Sequence, residues 1–258
     1  MSSGPGLEVI AIEGIGAIRP GDDLAEMLVR SMASSGLALR DNDIVVLAQK
    51  AVSKAENRYL PLESVKPSER AIELARRCEK DPRLVEIILS EASEVLRAIP
   101  GVLIVRDKRG LVLANAGVDR SNVDQDASGE ERVLLLPADP DASAARLRAG
   151  LRSLAGVDAG VIINDSIGRA WRLGTVGTAI GVSGIPALLD RRGEPDLQGR
   201  KLEITEVGLA DELAAAASAV MGQAAEGRPA VIIRGGAWPR RDASAHELLR
   251  PREKDLFR

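Results

Sequence analysis

The sequence predicts a mixed α/β fold, and three observations predict it. Short runs rich in Val, Ile and Leu, of strand length, stand at 7–12 (LEVIAI), 44–48, 159–163 and 230–233, bounded by Gly, Pro, Asn or Asp. Between them lie stretches of helix length with Asp or Pro at their starts. The two kinds do not alternate in a steady βαβ rhythm, and the signatures of the common nucleotide-binding α/β folds fail. No G-x-x-x-x-G-K-[ST] occurs, which excludes a standard P-loop. Gly14-Ile15-Gly16 begins a dinucleotide fingerprint, but the third glycine's position holds Arg19, so the Rossmann reading fails too.

In chain order, 7–12 reads as a strand, followed by a Gly/Pro-rich loop over 13–22. Asp22 or Asp23 offers a carboxylate cap to a helix running to about Ser35. The turn-like Asp41-Asn42-Asp43 precedes the strand at 44–48. Pro67 opens a helical region to about Leu96, read as two helices broken near Asp81-Pro82, because proline lacks a backbone donor and suits a first helical turn. Strands follow at 102–105 and 111–113, joined at Lys108-Arg109-Gly110. A polar loop at 124–131 leads to a strand at 133–136, a helix at 142–154 and the apolar strand at 159–163, which is expected to end in Asn164-Asp165-Ser166. Four glycines among β-branched residues mark 174–184 as strand with close backbone approaches. The Ala-rich 209–221 reads as helix and 230–233 as the last strand. One domain is therefore expected over 1–238, with 239–258 a charged tail, helical or loose.

Composition removes several function classes. With 258 residues the chain can bury a substantial core. Lys+Arg 35 against Asp+Glu 38 gives a net charge of -3, without the basic surplus of a nucleic-acid binder. No apolar stretch approaches the ~20 residues that span a bilayer, so no membrane partner is expected. The opening Met-Ser-Ser-Gly-Pro-Gly lacks the basic and apolar pattern of a signal peptide. The single cysteine, Cys78, excludes an intrachain disulfide and fits a reducing compartment; a cytoplasmic protein is expected. His246 is the only histidine, so a Ser-His-Asp or Cys-His mechanism, or a zinc site, has little to draw on. Carboxylates, amides, hydroxyls, Lys and Arg remain, and these suit hard cations such as Mg²⁺ or Mn²⁺.

Four segments carry that chemistry. The stretch 115–122 (NAGVDRSN) gathers Asp119, a hydroxyl and two amides, with Gly117 free to take an unusual backbone angle. A metal and phosphate site is the functional reading, an ordinary turn the plainer one. In 164–172 (NDSIGRAWR), Asp165 and Ser166 offer oxygens to a metal, and Arg169 and Arg172 could neutralise phosphate oxygens; the plainer reading is a strand exit with two surface arginines. Lys50 and Lys54 reach one region if 49–54 is helical, since four residues return to one face, although both could simply be solvated. Gln223 ends the Ala-rich helix; its amide oxygen is a possible hard-metal ligand but more often a surface group.

Taken together, VVLAQKAVSKAENR, LVLANAGVDRSN, IINDSIGRAWRLG, AIGVSGIPALLD, EVGLADELAAAASAVMGQ and a closing VIIRG resemble the coenzyme F420-0:L-glutamate ligase family, in family order over nearly the whole chain. The resemblance implies a GTP-dependent ligase that adds L-glutamate to the deazaflavin precursor coenzyme F420-0, with γ-linkages thereafter. It implies Asp119 and Asp165 as ligands of one divalent metal, and Ser166 and Gln223 as ligands of a second. Potassium and a homodimer are further implied. Asp119, Asp165 and Arg169 become the catalytic candidates. Ile15, Gly16, Ala17 and Ile18, with Gln49, Lys50, Lys54 and Asn122, match nucleotide-contacting positions. Met221, Gly222, Gln223, Ala224, Ala225, Glu226, Gly227 and Arg228 match a further nucleotide segment. Ser166 stands where the family commonly has Thr, which keeps the hydroxyl, while Ile167 and Ala170 replace an expected Phe and Pro. A metal-dependent phosphatase or nucleotide hydrolase would use the same carboxylates without an acceptor amine. A binding-only nucleotide module is the non-enzyme alternative.

Overall fold

The computed structural model describes residues 6–120 and 131–255. Along them the chain runs β1 (Glu8–Ala11), α1 (Leu24–Ser34), β2 (Ile44–Ala48), α2 (Gln49–Ala55), β3 (Tyr59–Pro61), α3 (Glu69–Cys78), α4 (Pro82–Glu91), β4 (Ala92–Ile99), β5 (Val102–Asp107), β6 (Val112–Ala114) and β7 (Arg132–Leu134). It continues through α5 (Pro140–Ala155), β8 (Gly160–Arg169), β9 (Arg172–Ser183), β10 (Leu189–Asp190), β11 (Glu206–Val207), α6 (Leu209–Met221) and β12 (Ala230–Arg234).

The helices start where the sequence supplies acceptors for their orphan N–H groups. The Asp23 side chain accepts from Glu26 N–H, Ser68 from Ala71 N–H and Asp139 from Ala142 N–H. Gly156, in a left-handed conformation, ends α5. The helical region expected to reach Leu96 instead stops at Glu91. Residues 92–99 form β4, which pairs antiparallel with β5 across Pro100-Gly101, Gly101 taking φ 78. Tertiary pairing along that hairpin overrides the local helical pattern.

A five-stranded sheet in the order β1-β12-β2-β8-β9 organises the molecule. Only β2 and β8 run parallel; the other neighbours are antiparallel. A sheet with one parallel pair is a mixed sheet, not a doubly wound one. Because strand side chains alternate, each central strand feeds two cores. Val45, Leu47, Val161, Ile163 and Ile232 pack with α1 and α5 through Leu28, Met32, Leu147 and Leu151. Ile44, Val46, Ile162, Val231 and Ile233 pack with α6 through Leu209, Leu213, Ala214 and Ala217. A third core lies under α3, α4 and the β4-β5-β6 sheet, around Leu62, Ile87, Ile88, Leu103 and Val133.

Ser244 and Ala245, beyond Pro239, lie against this body. The Asp141 carboxylate accepts from Ser244 Oγ at 2.6 Å, Ala245 N–H at 3.0 Å and Val182 N–H at 2.8 Å, so one side chain ties the tail, β9 and α5 together. Among the described residues, no helix is long and apolar enough to cross a membrane.

The strand directions decide where polar segments gather. Ala48 ends β2 opposite Asn164 of β8, and Leu47 pairs with Ala230 at the start of β12. Ala11, at the end of β1, pairs with Val231. The segments after β1, after β2, at Asn164 and before β12 therefore share one edge of the sheet. Ligands favour the carboxyl ends of parallel strands for this reason.

Candidate active site

At that edge lies a cleft of about 500 Å³, within the range of small-molecule sites. One wall is the loop with Ile15, Gly16, Ala17 and Ile18, and another is the run from Met221 to Pro229. Gln49, Lys50, Ala51 and Lys54 of α2 line it, as do Asn164, Asp165 and Ser166 of β8. Apart from Asn122, every expected nucleotide position is on this surface, although the outermost segments, 15–18 and 221–228, stand at opposite ends of the chain. Asn122, and all but the last residue of the loop expected at 124–131, lie outside the described residues.

Each segment has a local cause. α2 is helical, so Lys50 and Lys54 share a face as the four-residue spacing predicts. Gln49 is buried and accepts from Ser53 Oγ at 3.0 Å, which fixes the first turn. Gly222, with φ +75, lets the chain leave α6 at an angle costly for other residues. Across the cleft mouth, Arg228 Nε donates to Glu13 Oε1 at 3.1 Å and joins the two loop walls.

Asp119 enters from a different lobe. It follows Asn115, Ala116 and Gly117, three successive residues at positive φ (54, 53 and 69). Two of these are not glycine, and such backbone strain gathers at functional sites. Asp119 and Leu134 exchange both backbone hydrogen bonds at 2.9 Å, which clamps the strained turn. The Asp119 carboxylate pairs with Lys50 Nζ at 2.7 Å, and so meets α2.

Asp165 keeps some solvent contact along the cleft, but protein surrounds its carboxyl. Burial pushes that carboxyl from an ordinary 3.8 up to about 6. The Ser166 N–H, donating at 2.7 Å, pulls the other way. The charge of Asp119 pushes it further up and that of Lys50 pulls it down, so both side chains act on Asp165. Beside it, Ser166 Oγ donates to Gln223 Oε1 at 2.5 Å, which joins β8 to the exit of α6.

The donor set fits a hard divalent cation. Asp119, Asp165, Ser166 and Gln223 offer oxygen only, and among the described residues no group of three His, Cys, Asp or Glu forms a cage. Two carboxylates with neutral oxygens suit Mg²⁺ or Mn²⁺, which are bound through few carboxylates and take the rest of their shell from phosphates and water. The buried Asn164 Oδ1, also at the cleft, has no hydrogen-bond partner. Arg169 is not brought into the cleft. It lies at the exposed end of β8, where its guanidinium donates to Leu173 O at 3.3 Å. The strand expected to end in Asn164-Asp165-Ser166 continues to Arg169, because β9 pairs with it as far as that residue.

Comparison with known proteins gives the chain its family. The profile described as F420-0:Gamma-glutamyl ligase matches residues 14–235. The chain belongs to that family. It is 48% identical over 255 residues to the Coenzyme F420:L-glutamate ligase of Methanothermobacter thermautotrophicus, covering 98% of this chain and 99% of that one. The Methanopyrus kandleri protein of the same name is 47% identical over 263 residues, covering 98% and 99%. That of Haloarcula marismortui is 44% identical over 258 residues, covering 98% and 96%. Within the F420-0:Gamma-glutamyl ligase fold, sequence reasoning left Ser218 and Asn164 without a role, though both face the cleft. Asn164 stood in a quoted motif, whereas nothing in an Ala-rich helix distinguishes Ser218 from a filler.

Proposed function

We propose that this chain joins L-glutamate to the deazaflavin coenzyme F420-0, with GTP as phosphoryl donor, and adds further glutamates through γ-linkages. The observation that carries the reading is the convergence on one cleft of both loop walls, Lys50, Lys54, Asp165, Ser166 and Gln223, with Asp119 tied in through Lys50. A carboxylate at neutral pH does not react with an amine, so it must first be activated. Transfer of the γ-phosphoryl group of GTP to the acceptor carboxylate gives an acyl phosphate and GDP. The glutamate amine then attacks the acyl carbon, phosphate leaves and an amide remains.

The chain's own residues position these partners. The two loop walls hold the nucleotide, and the Lys50 and Lys54 ammonium groups offset the charge of its phosphates. Asp119, Asp165, Ser166 and Gln223 would hold two divalent ions, which when bound neutralise charge on the transferring group. Such positioning, with electrostatic compensation, is most of what phosphoryl transfer asks of a protein. No histidine is needed. Potassium is retained as a further cation of the reading, and the cytoplasm as its site. A homodimer also belongs to it, supported by Trp171 (85% exposed) and Leu173 (99% exposed) near the tip of the β8–β9 hairpin.

The test is phosphate release from GTP with Mn²⁺, with and without F420-0 and glutamate. A ligase releases phosphate only when both acceptor and amine are present. Release without an acceptor would assign a hydrolase, and no release in any mixture would leave a binding module.

A further inference from the structure

Asn164 is 5% exposed, and its amide holds an asymmetric position. The nitrogen donates to Ser218 Oγ at 3.0 Å and reaches Met221 Sδ at 3.6 Å, both on α6. The sulfur settles which end of the amide points there, because a thioether accepts an N–H but offers no proton to an oxygen. The other end, Oδ1, is buried without a partner. Leaving a buried acceptor unsatisfied costs free energy, so an apolar residue of similar size would serve folding at least as well. The residue also stands at a register shift, Ile163 facing Gly181 but Asn164 facing Ala179. Such bulges re-aim side chains beside active sites. Its neighbours Asp165 and Ser166 carry candidate ligands, and Ser166 makes the second link from β8 to the α6 exit, at Gln223.

We infer that Asn164 is a positioning residue for the divalent-cation site, its amide locking β8 to α6 so that Ser166 and Gln223 meet at ligand distance. The inference rests on the metal-dependent reading above. Asn164 and Ser218 form the inner strut and Ser166 and Gln223 the outer pair. Without the inner strut, the last turn of α6 shifts against β8 and the outer oxygens separate.

The experiment titrates the full chain with Mn²⁺ in the presence of GDP, followed by electron paramagnetic resonance, for the wild type, Asn164→Leu and Ser218→Ala. Thermal midpoints of the three metal-free proteins are measured beside it. Asn164→Leu should bind Mn²⁺ about tenfold more weakly, the scale of a lost outer-shell contact, with a midpoint equal to or above wild type. Ser218→Ala should weaken binding in the same direction. Unchanged Mn²⁺ affinity in either variant overturns the inference and leaves the ligase reading standing. A lowered midpoint in both variants also overturns it, since the strut would then serve folding. If Asn164→Leu does not fold, Ser218→Ala decides alone. Wild-type protein that binds no Mn²⁺ removes the metal-dependent reading and this inference with it.

Discussion

Asp165 is placed where the fold works against its charge and the proposed chemistry needs it. Its carboxyl is raised to about 6, first by burial. A carboxyl whose folded value lies above its ordinary 3.8 stabilises the fold while protonated and loses that contribution as pH rises from about 4 through 6. Metal-free Asp165→Asn should therefore melt a few degrees above wild type at pH 7.5 and at the same temperature near pH 4, read by circular dichroism. Mn²⁺ needs the ionised form, so affinity in the wild type should fall as pH drops below about 6. Turnover in the same variant should fall on the order of a hundredfold or more, since compensation of charge is what it loses. If Asp165 merely capped a turn, Asn would serve as well and activity would persist. Lys54→Ala makes the matching test on the nucleotide side. Calorimetry should show weaker GTP binding with the metal-free midpoint nearly unchanged, and unaltered affinity would reject its role.

At the scale of elements, the decisive feature is the parallel pairing of β2 with β8, which sets Ala48 beside Asn164 and brings Lys50 to Asp165. The apolar cores of both strands were legible, because continuous apolar runs such as IVVLA and VII, buried on both faces, stand out in the sequence. The continuation of β8 through Asp165 to Arg169 was not, since its polar residues read as a turn and only pairing with β9 makes them strand. The same cause hid β4 inside an apparent helix. The glycines of β9 were read as close approaches, and Gly177 bears this out. A Cβ there would lie 2.3 Å from both Ala214 O and Ser218 Oγ of α6. Gly177→Ala should thus destabilise the protein by roughly 1–3 kcal/mol or more in chemical denaturation, as overpacking does. It should also weaken Mn²⁺ binding, because it pushes α6 from β8.

For the whole molecule, the site unites segments that neighbour one another only after folding. Periodicity gave no reason to bring Asp119, from the lobe built on the third core, to Lys50 of the central layer. Resemblance to a family named these residues in advance; the order of the central sheet gathers the segments after β1, after β2, at Asn164 and before β12, and Asp119 joins them through its ion pair with Lys50. Static light scattering should report two copies per particle if the exposed Trp171 and Leu173 are covered by association, and a stable monomer would count against the homodimer. The central claim, that this cleft couples GTP to amide formation, meets its most direct test in mass spectrometry of the deazaflavin recovered after incubation with GTP, Mn²⁺ and L-glutamate. The account predicts a product heavier by one or more glutamyl residues, formed only when all three are present and lost in Asp165→Asn. Deazaflavin recovered at its original mass while GTP is consumed would contradict it.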